Sequence, residues 1–406
     1  MKPTGPIPGH YASTDNGLRI AGATPSSLVE QAGATPLFVY DRAAITDRIA
    51  ALRSAIPSRI EVNYAVKANP WPDLLEFIEP LVDGFDIASI GEWALLDEAG
   101  IDAARTSFAG PGKRDEELEI AIAAGVTLNC ESAGEAGRAL AIGERLDTAP
   151  KMAIRVNPDF ELRGSGMKMS GGAKVFGVDA DKAAALARRV VDAGCEWQGF
   201  HIFAGSQSLD AGAIAEAQRN TIALASRLAD EAGVPLPKLN LGGGFGIPYF
   251  AGDEPLDLEA VGEGLHETAA VDVLPDTRLV LELGRYLVGE AGVYLTRVVD
   301  RKESQGETFL VVDGGLHHQL AASGNFGAVV KRNYPVAVVE RSSDAPEEVV
   351  HICGCLCTPL DRLATQVELP RAEVGDLIAI FCAGAYGATA SPMHFLGHGP
   401  AREMLV

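Results

Sequence analysis

The chain has 406 residues, 47% of them hydrophobic and 22% charged, which is the make-up of a globular protein too long for one small core. A net charge of −21 argues against a nucleic-acid or anionic-membrane surface. Apolar runs fall short of a membrane span, the first residues carry no leader-type apolar stretch, and six unevenly spaced cysteines do not outline a disulfide framework, so a cytoplasmic protein is expected. In chain order, apolar strands are predicted at 37–40, 61–68, 84–89, 106–109, 127–131, 152–157, 199–203 and 239–242. Between them, stretches such as AAITDRIAALRSAI and ADKAAALARRVVDAG place apolar residues three and four apart, and several end on glycine. Eight alternations fit a (β/α)8 TIM barrel whose strands are covered on both faces; an open doubly wound sheet has the same periodicity. Beyond residue 280 short strands such as TFLVVDGG, YPVAVVER and DLIAIFCAG predominate. They predict a mostly antiparallel C-terminal β domain that includes the N-terminal segment. The expected division is a barrel over 36–280 and a β domain over 1–35 and 281–406.

Catalytic groups of such barrels sit at the C-terminal ends of the strands. There the sequence places Lys67, Asp86, Arg155, His201, Ser206, the run Gly242-Gly243-Gly244 and, on a further strand RLVLELGRY, Glu282 and Arg285. Each alone has a bland reading as a solvated end, a cap or a turn. Asp86 reads equally as a strand-end cap, and Glu131 as a salt-bridge partner on the barrel rim. Together they match the needs of pyridoxal 5'-phosphate: an amine for a Schiff base, backbone amides for a phosphate, and a carboxylate for the pyridine nitrogen. Burial near an apolar wall would favour the neutral, nucleophilic form of the Lys67 amine.

VNYAVKAN, FDIAS, HIFAGSQ, LGGGFG, ELGR, CTPLD and GAYG keep the order seen in the type III pyridoxal-phosphate decarboxylases. The chain therefore resembles the diaminopimelate, ornithine and arginine decarboxylases over about residues 35–400. The resemblance implies a homodimer with shared active sites, a Lys67 Schiff base, His201 stacked on the ring, and Glu282 at the pyridine nitrogen. It places Ser206, Gly242, Gly243, Gly244, Arg285 and Tyr386 around the phosphate, and Asp86 and Arg155 beside the ring. It makes Cys357 of the second subunit the proton donor and puts Thr358 and Asp361 in the substrate region. A carboxylate at Glu282, where the related alanine racemases have an arginine, favours decarboxylation over racemisation.

Two departures bear on the substrate. Thr358 follows Cys357 where relatives typically have an acidic residue, and DGGLHHQLAASGNFG lacks the Arg and Tyr with which diaminopimelate decarboxylases grip a distal carboxylate. HIFAGSQ with CTPLD is similar to a subgroup that includes exosortase A system-associated decarboxylases and an enzyme acting on a carrier-bound glutamyl group. The expected substrate is an amino acid, free or tethered to an acyl-carrier protein. The alternatives are diaminopimelate decarboxylation for lysine biosynthesis and, without catalysis, a pyridoxal-phosphate carrier. No metal site is expected. His351, Cys353, Cys355 and Cys357 lack a second paired-ligand segment, which leaves Cys353 and Cys355 as core or rim residues, and His317 and His318, read as strand neighbours, would face opposite ways.

Overall fold

The computed structural model describes the chain except residues 12, 15–16, 165, 169, 269–273, 327–329 and 340–345. It forms two compact units: Ile49–Gly246 with Leu256–Gly284, and Met1–Arg48 with Ile247–Pro255 and Arg285–Val406.

The first unit is a closed parallel barrel. Its strands are Ile60–Ala65, Gly84–Ile87, Thr106–Phe108, Thr127–Cys130, Lys151–Asn157, Glu196–Ile202, Lys238–Gly243 and Arg278–Leu283. The last pairs with the first, with Leu279 opposite Ile60 and Leu283 opposite Tyr64, so no edge is left. The central strands are buried along their length, which explains why they read as unbroken apolar runs. Between strands, helices start and stop on local chemistry. The Ser89 and Ser132 hydroxyls accept from the Glu92 and Glu135 amides. Gly125 and Gly233 close the helices Asp115–Ala124 and Ala211–Ala232 with φ of +84° and +62°.

One strand changes place relative to the sequence reading. Leu37–Tyr40, expected as the first barrel strand, instead pairs antiparallel with Gly292–Ser304 and parallel with Arg402–Leu405 in the second unit. Arg278–Leu283 takes the eighth barrel position. LFVY is buried at all four residues, and a short apolar strand looks the same whichever sheet covers it.

In the second unit a sheet runs in the order Val336–Val338, Leu377–Ile380, Gly292–Ser304, Glu307–Val312, Glu347–Cys353, Arg362–Pro370. It is mostly antiparallel. The pairing of Glu307–Val312 with Glu347–Cys353 is parallel, as is that of Leu37–Tyr40 with Arg402–Leu405. Leu37, Val39, Val293, Leu295, Ala379 and Phe381 lie in its core, together with Leu28 and Val29 from the N-terminal segment.

Candidate active site

The first barrel strand ends at Ala65 and runs into a 3-10 turn, Val66–Ala68. Val66 and Ala68 are buried while the Lys67 side chain is 43% exposed, so the turn packs its apolar flanks and presents the amine. Asn69 and Pro70 follow because the turn must be stopped. The Asn69 amide donates to the Val66 carbonyl, and the Tyr64 hydroxyl donates to the Asn69 carbonyl at 2.9 Å. Lys67 Nζ lies 3.5 Å from Glu282 Oε1 and 5.5 Å from the centre of the Phe203 ring.

Glu282 is the penultimate residue of the last strand, opposite Asn63 on one side and Gly243 on the other. Its other oxygen, Oε2, is 3.0 Å from His201 Nε2. A carboxylate only accepts, so Nε2 carries the proton. His201 Nδ1 is buried and has no hydrogen-bond partner among the described residues. Burial alone would raise the Glu282 carboxyl, but Lys67 and the His201 bond outweigh it and hold the group at about 2. Glu282 is thus a fixed anion held between the Lys67 amine and the His201 ring, one carboxylate oxygen toward each.

Asp86 behaves in the opposite way. Burial first, and then the Glu282 charge, push its carboxyl up from 3.8 to about 6, although the Ser107 hydroxyl donates to Oδ1. Oδ2 is buried without a partner among the described residues. A raised carboxyl destabilises the fold as pH rises, because the unfolded chain ionises first. That loss develops between about pH 4 and pH 6 and persists above. In the cofactor-free protein, Asp86→Asn should therefore raise stability on the order of 2 kcal/mol at pH 7 and by almost nothing at about pH 3, read from urea midpoints. A gain that is the same at both pH values would contradict the assignment.

Arg155 stands beside His201 in register. It donates to Glu131 Oε1 at 2.7 Å and lies 5.0 Å from the Phe176 ring. Glu131 also accepts from the Gly110 amide at 2.6 Å and the Gly177 amide at 3.0 Å, so it is a buried anchor that orients Arg155. Ser107 and Asn129, which the sequence reading does not single out, extend the network: Asn129 donates to the Ser107 hydroxyl at 2.9 Å. Little in the sequence marks them, since each shares its short buried strand, TSF or TLNC, with a threonine.

The glycine run serves packing as well as any ligand. A Cβ at Gly243 would stand 1.9 Å from the Glu282 carbonyl oxygen, and one at Gly244, where φ is +83°, would stand 2.2 Å from that of Gly205. The Gly242 amide already donates to Asn240 Oδ1 at 2.8 Å. Ser206 lies in the short strand Gly205–Ser206 and is half-buried.

The remaining candidates belong to the second unit. Arg285 donates to the Tyr249 hydroxyl at 2.8 Å and stacks 4.6 Å from the Tyr386 ring centre, with Nε buried and unpartnered among the described residues. Cys357 is exposed in the turn after Glu347–Cys353. The Thr358 amide donates to the Leu356 carbonyl at 2.8 Å. Asp361 is buried, and its two oxygens accept from the Leu316 amide at 2.7 Å and the Leu356 amide at 2.9 Å, so its carboxylate is committed to holding the loop. Cys355 and Cys357 lie beyond the strand, and His317 and His318 lie in a turn with ring centres 3.8 Å apart. The strand geometry expected for His317 and His318 therefore does not apply.

An amine, a fixed carboxylate anion and an imidazole gathered at the C-terminal mouth of a (β/α)8 barrel define a pyridoxal-phosphate enzyme of the barrel class. The residues present fit that cofactor: Glu282 is held ionised, as a partner for a cationic ring nitrogen must be, and buried Asp86 Oδ2 and His201 Nδ1 have no hydrogen-bond partner among the described residues. Residues 42–289 match the pyridoxal binding domain of the pyridoxal-dependent decarboxylases. The chain is 37% identical over 358 residues to the L-glutamyl-[BtrI acyl-carrier protein] decarboxylase of Niallia circulans, covering 85% of this chain and 82% of that one. It is 33% identical over 356 residues to the diaminopimelate decarboxylase of Methanothermobacter thermautotrophicus, covering 86% and 80%. The crystal structure of diaminopimelate decarboxylase from M. jannaschi superposes with a TM-score of 0.87 at 26% identity, covering 99% of this chain and 92% of that one. The chain belongs to the type III pyridoxal-phosphate-dependent decarboxylase family, and the enzyme is a carboxy-lyase that uses pyridoxal phosphate. No described helix is long and apolar enough to cross a membrane.

Proposed function

We propose that this decarboxylase acts on an amino acid tethered to a carrier protein, as a cytoplasmic homodimer with shared active sites. The observation that carries the substrate reading is the loop around Cys357. Thr358 stands where a distal amine would want an acid, and the nearby carboxylate, Asp361, is occupied by the Leu316 and Leu356 amides. Residues 313–326 contain no arginine or lysine to receive a distal carboxylate. A free diamino acid would leave its distal charges unmatched, which is costly inside a pocket. An acyl group joined to a carrier has no such free charge. The 37% identity to a decarboxylase of a carrier-bound glutamyl group supports the same reading.

When bound, the cofactor supplies an electron sink for cleavage of the bond between the α-carbon and its carboxylate. Lys67 would hold the cofactor aldehyde. Glu282, fixed by the His201 Nε2 proton, would keep a proton on the ring nitrogen, and Asp86 and Arg155 would flank the ring. Ser206, Gly242, Gly243, Gly244, Arg285 and Tyr386 are the phosphate-binding candidates. The Cys357 thiol, contributed by the other subunit, would deliver a proton to the carbon that has lost CO2.

Release of CO2 from free diaminopimelate, ornithine, lysine and arginine should be compared with release from a glutamyl carrier protein. The expected kcat/KM on the tethered substrate is at least about 100-fold higher. Efficient turnover of free diaminopimelate would instead establish the lysine-biosynthetic reading. In the same assay Cys357→Ala should be slow with an unchanged cofactor spectrum. Mixing it with Lys67→Ala should restore part of the rate through hybrid dimers. No recovery on mixing counts against the shared site.

A further inference from the structure

We propose that His317, Cys355 and His398 form a binding site for a divalent transition-metal ion, zinc by its donor chemistry. This inference is independent of the substrate. One ligand atom from each residue lies within 4.8 Å of the others, and Cys355 Sγ is 3.9 Å from His398 Nδ1. Tetrahedral zinc with bonds of about 2.3 Å to sulfur and about 2.0 Å to nitrogen sets neighbouring donors roughly 3.3–3.6 Å apart. Modest rotation of the exposed His398 ring and the half-buried Cys355 closes that difference.

His317 supplies the second, independent observation. It is 0% exposed, and neither ring nitrogen has a hydrogen-bond partner among the described residues. A buried polar ring left unsatisfied is destabilising, and an ion is one of the few things that repairs such a defect. Burial, followed by its His318 and His398 neighbours, lowers His317 to about 4, so it offers a neutral lone pair at neutral pH. Burial raises the Cys355 thiol, so metal uptake must displace its proton: Cys355–SH and Zn2+ give Cys355–S–Zn+ and H+.

The surrounding bonds position all three ligands without using the ligand atoms. Asp361 binds the amides of Leu316 and Leu356, the neighbours of His317 and Cys355. The Cys355 amide donates to the Gly314 carbonyl at 3.2 Å. His318 is not a fourth ligand. Its Nδ1 accepts from the Tyr294 hydroxyl at 3.1 Å, and its Nε2 donates to the Gly399 carbonyl at 3.0 Å, which ties down the residue after His398. Such outer contacts are what orient metal ligands. With two imidazoles, one thiolate and no carboxylate, the donor set favours zinc over calcium or magnesium and leaves a fourth position for water.

Chelator-treated holoenzyme should be titrated with Co2+, whose tetrahedral thiolate complexes absorb intensely in the visible, beyond the cofactor band. The expected result is a saturable tetrahedral spectrum at a single equivalent per chain, with proton release. Affinity should fall at least about 100-fold in Cys355→Ser and in His317→Gln, and stay unchanged in His351→Gln, which lies outside the cluster. If the variants fail to fold, judged by far-ultraviolet circular dichroism, the native titration still decides. A native protein that gives no tetrahedral spectrum, or a spectrum that survives Cys355→Ser, overturns the site.

Discussion

Lys67→Ala is expected to slow CO2 release by on the order of 1,000-fold or more, because in the proposed mechanism the amine is both the covalent hold on the cofactor and a proton-transfer group. The fold should tolerate it. The turn that carries Lys67 is held by backbone and Tyr64 hydrogen bonds and by the buried Val66 and Ala68, none of which involves the amine. The loss also removes the cation 3.5 Å from Glu282 that offsets that carboxylate's burial, so the Glu282 carboxyl should titrate upward in the variant. Steady-state rates, with the cofactor absorption recorded on the same sample, check both parts. A small primary amine added to the variant should restore a fraction of the rate. A variant that turns over normally would remove Lys67 from the chemistry.

Glu282→Gln is expected to lower kcat by roughly 100- to 10,000-fold with a smaller change in cofactor affinity. The amide keeps the shape and leaves an oxygen to accept from His201 Nε2, so what is lost is the charge. A neutral partner cannot hold a proton on the ring nitrogen. Removal of the anion also relieves Asp86, whose carboxyl should drop back from about 6 toward its ordinary range. The rate is measured on cofactor-saturated enzyme, and the Asp86 titration is followed by NMR of the labelled carboxyl. A kcat within a few-fold of native would mean that the ring nitrogen needs no anion here.

Lys67, Glu282 and His201 were legible because each interrupts an apolar strand near its C-terminal end, where a charged side chain is costly unless it is used. Glu131 was legible for a related reason, and its bond to Arg155 gives it the rim salt-bridge role expected from its position. Other features are silent in one dimension. Leu37–Tyr40 is apolar at every residue, so its pattern carries no information about which sheet buries it. Ser107 and Asn129 are single polar residues whose worth lies in reaching Asp86 across two neighbouring strands. Asp361 shares a motif with Cys357, and only the structure reveals that its oxygens serve the loop backbone. The His317, Cys355 and His398 cluster is assembled from three irregular segments distant in sequence, and such segments have no period from which side-chain direction could be read.

In the proposed site the Lys67 amine carries the cofactor. Borohydride reduction of the holoenzyme, followed by proteolysis and mass spectrometry, tests it most directly, since reduction makes an imine link permanent. A phosphopyridoxyl adduct is expected on Lys67, within the peptide that contains EVNYAVKANP. An adduct confined to another lysine, or none on protein saturated with pyridoxal phosphate, would contradict it.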